Sequence, residues 1–419
     1  MDAEGQGARR APGRRLVLKA ALAAAGSATL APPAGAAEDD LPPNVPTWMK
    51  AQGAPILSPP YGTPSSFEAG VVRRARSRAR TGTAASSTTP LQDLHGIITP
   101  NGLHFERHHA GVPQIDPDQH RLMVHGLVDR PLIFSMDDLM RFPSVSRIHF
   151  LECSGNSSYA ALPPGATAQD IHGLISCCEW TGVPLATLLA EAGVQAGAAW
   201  VLAEGADAAA MTRSVPIAKA LDDALLAYAQ NSERLRPEQG YPLRLLLPGY
   251  EGNMSVKWLR RLKVGDQPFE TREETSKYTD LMPDGTARQF TLVMEAKSVI
   301  TRPSGGQQLR GAGFYEVSGL AWSGHGRIIG VEVSTDRGAT WRAAALQEPV
   351  LPKCLTRFRI PWIWDGAPTT LQSRATDETG YVQPTRERLV GVRGLNSGYH
   401  DNAIQAWSVG SDGSVLNAT

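Results

Sequence analysis

Apolar and polar positions between Leu91 and Arg288 fall into two kinds of short run. RLMVHGLV at 121–128, SRIHFLE at 146–152, AAWVLAEG at 198–205 and PLRLLLPG at 242–249 read as strands. SMDDLMRF at 135–142, PLATLLAEAGV at 184–194 and PIAKALDDALLAYAQ at 216–230 carry helical spacing. In the last, Leu221, Leu225, Leu226 and Tyr228 share one helical face, which predicts a helix across the whole stretch. Strands and helices mixed without strict βαβ alternation point to an α+β domain over 91–288. From Gln289 helical periodicity disappears. YEVSGLAWSG at 315–324, RIIGVEVSTDRGATWRAAAL at 327–346, TRFRIPWIWDG at 356–366 and TLQSRATDETGYVQP at 370–384 are strand patterns. Turns at Asp336-Arg337-Gly338 and Asp377–Gly380 separate them, which predicts a β-sandwich over 289–419.

The start of the chain has a different character. Arg14 and Arg15 precede Leu16–Lys19, an apolar run from Ala20 to Ala31 and a small-residue exit at Ala34-Gly35-Ala36. That order predicts a signal peptide over 1–36, and the run is too short for a membrane span. The paired arginines resemble a twin-arginine signal, whose route moves folded protein, so a periplasmic location is expected. Residues 37–90 read as an arm, proline-rich at Pro42, Pro43, Pro46, Pro55, Pro59, Pro60 and Pro64. Its basic run, Arg73, Arg74, Arg76, Arg78 and Arg80, is expected to be solvated, with a docking strip for an acidic partner as the alternative.

Composition narrows the function classes. The 41 basic residues balance 41 acidic ones, so the chain carries no electrostatic footprint for nucleic acid. Four cysteines are too few for a disulfide framework, and without CxxCH no c-type haem belongs to this chain.

Chemistry concentrates around LECSGN at 151–156. A strand-like run ends in Cys153 and turns at once through Gly155, which holds a thiol on a rigid element yet leaves room for close approach. Alone, Cys153 could equally be a small buried hydrophobe. HFERHH at 104–109 places Arg107, His108 and His109 before the first strand; three histidines suggest zinc, but no further ligand stands at a known spacing. AEGAD ends in Asp207, and the stretch 240–261 supplies Arg244, Ser255 and Lys257 beside the glycine loop PGYEGN. Arginine and lysine beside such backbone can cradle a phosphate; ordinary strand-edge charges are the plain alternative. A soft thiolate, a phosphate cradle and folded export together suggest a transition metal on a phosphorylated organic cofactor.

In this order FERHHAGVP, LECSGN, AEGAD, QGYPLRLLLPG, VKWLRR, REETSKYTDL, KSVIT, GLAWSG and RGLNSGYHDN resemble the sulfite oxidase family of molybdenum-molybdopterin enzymes. Within it the chain is most similar to the molybdenum subunits of sulfane dehydrogenases in the Sox thiosulfate-oxidation system. The resemblance covers about 91 to 415. It implies a molybdopterin-binding α+β domain followed by an immunoglobulin-like β-sandwich dimerisation domain. Cys153 would be the molybdenum ligand. Phe105, Arg107, His108, His109, Asp207, Gln239, Arg244, Ser255, Val256 and Lys257 would contact molybdopterin, and Tyr278, Arg107 and Arg393 would face substrate. His108 stands where sulfite oxidases have asparagine, and Gln239 where animal enzymes have histidine. Ser157 and Ser158 replace an arginine pair, the second of which helps to bind sulfite. Losing that cation favours bulkier sulfur on a carrier protein over free sulfite.

The implied activity is oxidation of sulfane sulfur held on a cysteine of the Sox carrier protein. Oxygen comes from water, and electrons pass to a dihaem c-type cytochrome subunit, with no haem in this chain. A homodimer core within a heterotetramer is expected. Two other readings remain: a sulfite dehydrogenase acting on free sulfite, and a non-catalytic, metal-free sulfur-binding subunit.

Overall fold

The computed structural model describes residues 49, 52, 61–76, 82–157, 162–395 and 398–418. The expected signal with Arg14 and Arg15, most of the proline-rich arm, Arg78, Arg80 and Ser158 lie outside the described residues. By its contacts the chain divides at Ser66 and Phe67, and everything below concerns the unit Phe67–Thr419.

Thirteen strands build the first part. They are β1 Arg74–Ala75, β2 Ser86–Thr88, β3 Glu106–Arg107, β4 Leu122–Gly126, β5 Leu132–Phe134, β6 Val145–Glu152, β7 Ile175–Pro184, β8 Trp200–Gly205, β9 Thr212–Pro216, β10 Leu225–Gln230, β11 Glu233–Arg234, β12 Arg244–Leu246 and β13 Leu259–Gly265. One sheet runs β5-β4-β13-β8-β9; a second runs β11-β10-β7-β6, with β12 also pairing β10. Helices Met136–Met140 and Leu185–Ala192 form where the periodicity placed them. The first starts in a capping box from Ser135 and Asp138, which satisfies its leading N–H groups. The second stops at Gly193, whose φ of 71° suits glycine.

The stretch 216–230 differs from its predicted helix. Only Ile217–Asp222 is helical, and Leu225–Gln230 is β10. Leu225, Leu226 and Ala227 pair antiparallel with Pro184, Val183 and Gly182 of β7 and with Leu246, Leu245 and Arg244 of β12. Leu226 packs into one apolar cluster and Leu225 and Ala227 into another, so the strand is buried on both faces and its residues look continuously apolar rather than alternating. That run mimicked a helical face. The break falls at Asp223, whose carboxylate takes Lys219 and Lys353, each at 2.5 Å.

The arm also differs from its reading. β1 pairs β2 and β2 pairs β3, so residues 74–75 and 86–88 are stitched to Glu106 and Arg107. Arg73 is not solvated: it pairs with Glu106 at 2.9 Å and Glu238 at 3.4 Å.

After β14 Asp280–Leu281 and β15 Ala287–Arg288, which form a hairpin, the sandwich begins. Its strands are β16 Lys297–Arg302, β17 Gly313–Trp322, β18 Ile328–Ser334, β19 Arg342–Ala343, β20 Ala345–Gln347, β21 Thr356–Trp364, β22 Thr369–Asp377, β23 Ala406–Val409 and β24 Val415–Asn417. Four form the sheet β16-β17-β21-β20 and five the sheet β19-β18-β22-β23-β24. Inward residues such as Val317, Val331, Phe358, Leu371 and Trp407 are buried between them. The expected α+β domain with a β-sandwich is therefore the architecture. One helix, Arg386–Arg393 capped by Thr385, interrupts the region where no helix was predicted; only Leu389 and Arg393 of it are buried, so it carries no apolar face to read.

The two parts share a core. Leu91, Phe150, Ile171, Ile175 and Cys177 of the first pack in the same apolar cluster as Trp322, Cys354 and Phe358 of the second. Among the described residues no helix is long and apolar enough to cross a membrane.

Candidate active site

β6 delivers the thiol. Its first half is partly exposed and its last four residues, His149–Glu152, are buried, so Cys153 emerges from a strand end embedded in protein. Glu152, fully buried, anchors that end. Its carboxylate accepts from Trp322 Nε1 at 2.6 Å, Asn156 Nδ2 at 2.9 Å and Lys297 Nζ at 3.2 Å. Two of these donors belong to the sandwich, so the second domain fixes the position of Cys153. From the other side the glycine loop closes in: a Cβ on Gly252 would meet Glu152 O at 2.7 Å, which only glycine avoids.

Cys153 lines a cleft that opens to solvent. Of the residues marked in the sequence, Phe105, Arg107, His109, Gln239, Arg244, Ser255, Val256, Lys257 and Tyr278 line it with Cys153. Three do not. His108 stands behind the wall, bonded to Glu106 at 2.7 Å and to Lys257 Nζ at 2.9 Å. Asp207 is buried behind Lys257, where its charge favours the ammonium. Arg393 lies in a different cavity with Arg288 and Tyr381, and pairs with Glu295 at 3.0 Å and Asp280 at 3.9 Å.

Two cations of the cleft, Arg244 and Lys257, bond to backbone and not to carboxylates. Arg244, 2% exposed, donates only to backbone carbonyls: Gln239 O and Ser255 O at 3.0 Å, Leu245 O at 3.5 Å. Lys257 Nζ donates to Glu238 O at 3.0 Å and Arg107 O at 3.2 Å. Burial pushes Arg244 down to about 9 and, with Arg244 adding repulsion, Lys257 down to about 7. Two buried cations not neutralised by an ion pair fit an anionic ligand; they are poor core residues otherwise. Ser255 Oγ accepts from Leu247 N at 3.0 Å, which leaves its hydroxyl proton to donate. Gln239 serves differently from a ring: its amide donates to Phe105 O at 2.9 Å and steadies the 105–109 loop. These residues fit a phosphorylated pterin, and the strand-end thiol beside them has the softness to ligate a transition metal.

Tyr278 closes the other side. Its φ of 52° is unusual for a bulky residue, and such strain persists where surroundings over-determine it. Arg213 sits 5.2 Å over its ring and Tyr399 packs 5.2 Å away. Burial and the nearby Cys153 push the phenol up, and its hydroxyl lies 3.4 Å from His109 Nε2. Burial and Arg107 push His109 down to about 4, so at neutral pH its ring is uncharged, and as the Nε2–H tautomer it can donate to that hydroxyl and leave the phenol proton for another acceptor. Burial also raises the Cys153 thiol. The three histidines of HFERHH are thus divided. His104 is a core residue bonded to Phe105 O at 2.7 Å, and among the described residues no cluster of three metal-ligating side chains occurs.

Sequence reasoning missed Glu106, Met211 and Asn253, which also line the cleft, and the network behind Tyr278. There Arg213 pairs with Glu251 at 3.0 Å and Glu274 at 3.6 Å, and Glu251 takes His400 Nε2 at 3.1 Å. A lone arginine in TRSVP gives no local signal. Asn253 lay within the glycine loop already marked, where a polar side chain beside close-packed backbone was the available cue.

Comparison with known proteins agrees with this geometry. The oxidoreductase molybdopterin binding domain matches residues 109–273, and the Mo-co oxidoreductase dimerisation domain matches 288–407. The chain is 31% identical to mitochondrial sulfite oxidase of Rattus norvegicus over 83% of its own length and 69% of that protein. It is 33% identical to the Mus musculus enzyme over 74% of its length, spanning 62% of that protein. A crystal structure of the sulfane dehydrogenase SoxCD from Paracoccus pantotrophus superposes with a TM-score of 0.87 at 48% identity, covering 90% of this chain and 97% of that one. With a strand-end thiol, an anion-ready wall and both domains in place, the chain belongs to the sulfite oxidase family of molybdenum oxidoreductases, of the sulfane dehydrogenase type.

Proposed function

We propose that this chain is the molybdenum subunit of a sulfane dehydrogenase, oxidising sulfur carried as a persulfide on a cysteine of the Sox carrier protein. The observation that carries this reading is a cleft with the family's thiol and tyrosine but serines at 157 and 158, in a chain 48% identical to a sulfane dehydrogenase structure. Position 157 gives the cleft no cation. The Ser157 hydroxyl bonds His172 Nδ1 at 2.5 Å instead.

When bound, molybdenum-molybdopterin supplies two-electron redox chemistry and oxygen-atom transfer. Arg244, Lys257 and Ser255 hold its phosphate end, and Cys153 holds the metal. Arg107 attracts the anionic sulfur, and the Tyr278 hydroxyl, backed by neutral His109, donates to the oxygen that develops negative charge. The balance is R–S–S⁻ + 3 H₂O → R–S–SO₃⁻ + 6 H⁺ + 6 e⁻, three two-electron rounds per sulfur. The electrons would go to a separate subunit, for which the family resemblance implies a dihaem c-type cytochrome. The sandwich would join two copies into the core of a heterotetramer, and the twin-arginine-like start would place the protein in the periplasm.

Free sulfite is the competing substrate, and the comparison of the two is the test. Turnover of carrier-bound sulfane should exceed turnover of sulfite. Restoring one cation by Ser158→Arg should strengthen sulfite binding by roughly 10- to 150-fold, the equivalent of one charge-assisted contact, while slowing the carrier substrate. A ratio that favours sulfite in the native enzyme, or that stays flat in the variant, overturns the reading.

A further inference from the structure

We propose that Arg76, contributed by the segment ahead of the folded domain, is the substrate-side cation of the Cys153 cleft and binds the sulfur oxyanion. This rests on the sulfane reading above and deepens it. The sheet register places the residue. Arg74 pairs Thr88 and Ala75 pairs Ser87, Arg76 N donates to Ser86 O at 3.0 Å, and Ser86 pairs Arg107. Arg76, Ser86 and Arg107 therefore form one row across three strands, and residues in such a row point to the same face. The neighbouring row confirms the alternation. Ser87 Oγ donates to Glu106 Oε1 at 3.0 Å, and Arg73, of the same parity as Ala75, pairs with Glu106 on that opposite face.

Arg107 lines the cleft. Two strand spacings separate its backbone from that of Arg76, about 10 Å, which two extended guanidinium side chains can bridge. Arg76 is half-buried, and among the described residues its guanidinium has no ion pair and no hydrogen bond. Arg76 does not itself line the cleft, but it shares a row with Arg107, which does, and a cation so placed without a carboxylate partner can reach a sulfonate formed beside Arg107. It would replace, from another strand, the charge missing at Ser157 and Ser158. Pinning of the arm by Arg73, Glu106 and Glu238 then makes this segment part of the active site.

Full-length, molybdenum-loaded protein tests this through sulfate as the oxyanion probe, by equilibrium dialysis with labelled sulfate beside steady-state turnover of carrier-bound sulfane. Arg76→Gln should weaken sulfate binding at least tenfold, as one charge-assisted contact requires, and raise KM more than it lowers kcat, with molybdenum per chain unchanged. Arg76→Lys should keep sulfate affinity within about fivefold, because the charge remains. Native enzyme that fails to bind sulfate, or an Arg76→Gln variant within twofold of it, overturns the assignment. Should the glutamine variant not accumulate, the lysine variant decides, since a loss there as large as tenfold means that Arg76 serves packing. Equal turnover of sulfite and carrier-bound sulfur would sink the sulfane reading alone and leave the dialysis to judge Arg76.

Discussion

Replacing Arg244 by methionine separates a residue kept for the fold from one kept for a ligand. In the cofactor-free chain burial pushes Arg244 from the ordinary guanidinium value of 12.5 to about 9. At 1.36 kcal/mol per unit, that places the cost of burying its charge at about 5 kcal/mol. Its two bonds at 3.0 Å, to Gln239 O and Ser255 O, return about 3–6 kcal/mol as hydrogen bonds from a charged donor. The two effects roughly cancel. Cofactor-free Arg244→Met should therefore unfold within about 2 kcal/mol of the native chain, because methionine fills similar volume against Trp180. The loaded protein behaves differently: the phosphate loses a buried counter-charge, and pterin retention should fall at least tenfold. Both proteins would be made in a host without molybdopterin and melted in parallel. In the same two proteins made in a host that supplies molybdopterin, pterin would be counted by fluorescence after oxidation, and molybdenum by mass spectrometry. One pterin per chain in the methionine variant would refute the argument. So would a cofactor-free variant melting far below the native chain, since Arg244 would then be structural.

Two further outcomes follow from the same wall. Cys153→Ser exchanges the soft ligand for a hard one, so molybdenum should be lost and activity should drop more than tenfold, while pterin stays on Arg244 and Lys257; activity within tenfold of native would remove Cys153 from the metal. Burial, with Arg244 second, lowers Lys257 to about 7 in the folded chain against 10.5 unfolded. A cation with a depressed folded value destabilises fully below pH 7, and the penalty eases as pH rises from 7 toward 10.5. Cofactor-free protein should thus gain stability across that range, while cofactor uptake weakens because the neutral amine no longer attracts phosphate. Melting and uptake series in which Lys257→Met shows the same slopes as the native chain would show that other groups are responsible.

Much of the molecule was legible before any coordinates. Helices Met136–Met140 and Leu185–Ala192 announced themselves through the helical spacing of their apolar residues, a pattern carried by neighbouring positions. β6 and its terminal thiol were equally plain, since a strand that turns immediately through glycine needs only its own sequence to be recognised. The cleft set from Phe105 to Tyr278 came from ordered motifs spread over some 170 positions, which is a resemblance and not a local signal.

What stayed hidden depended on partners distant along the chain. Leu225–Gln230 is a strand because β7 and β12 flank it, and burial on both faces erased the alternation that would have marked it. Arg73 looked like part of a solvated basic run until β2 and β3 brought it against Glu106. Arg393 was marked for the site, yet pairing with Glu295 and Asp280 holds it in a neighbouring cavity. Glu152 gave no hint of its task, which exists only because Trp322 and Lys297 of the sandwich reach back to the strand that presents Cys153. The sequence by itself determined which groups this protein possesses and the elements that carry them, because propensity, capping and turn chemistry act over a few residues. Tertiary structure alone decided which charges are buried without a partner and which are neutralised, because electrostatic cost depends on distance and solvent and not on position in the chain.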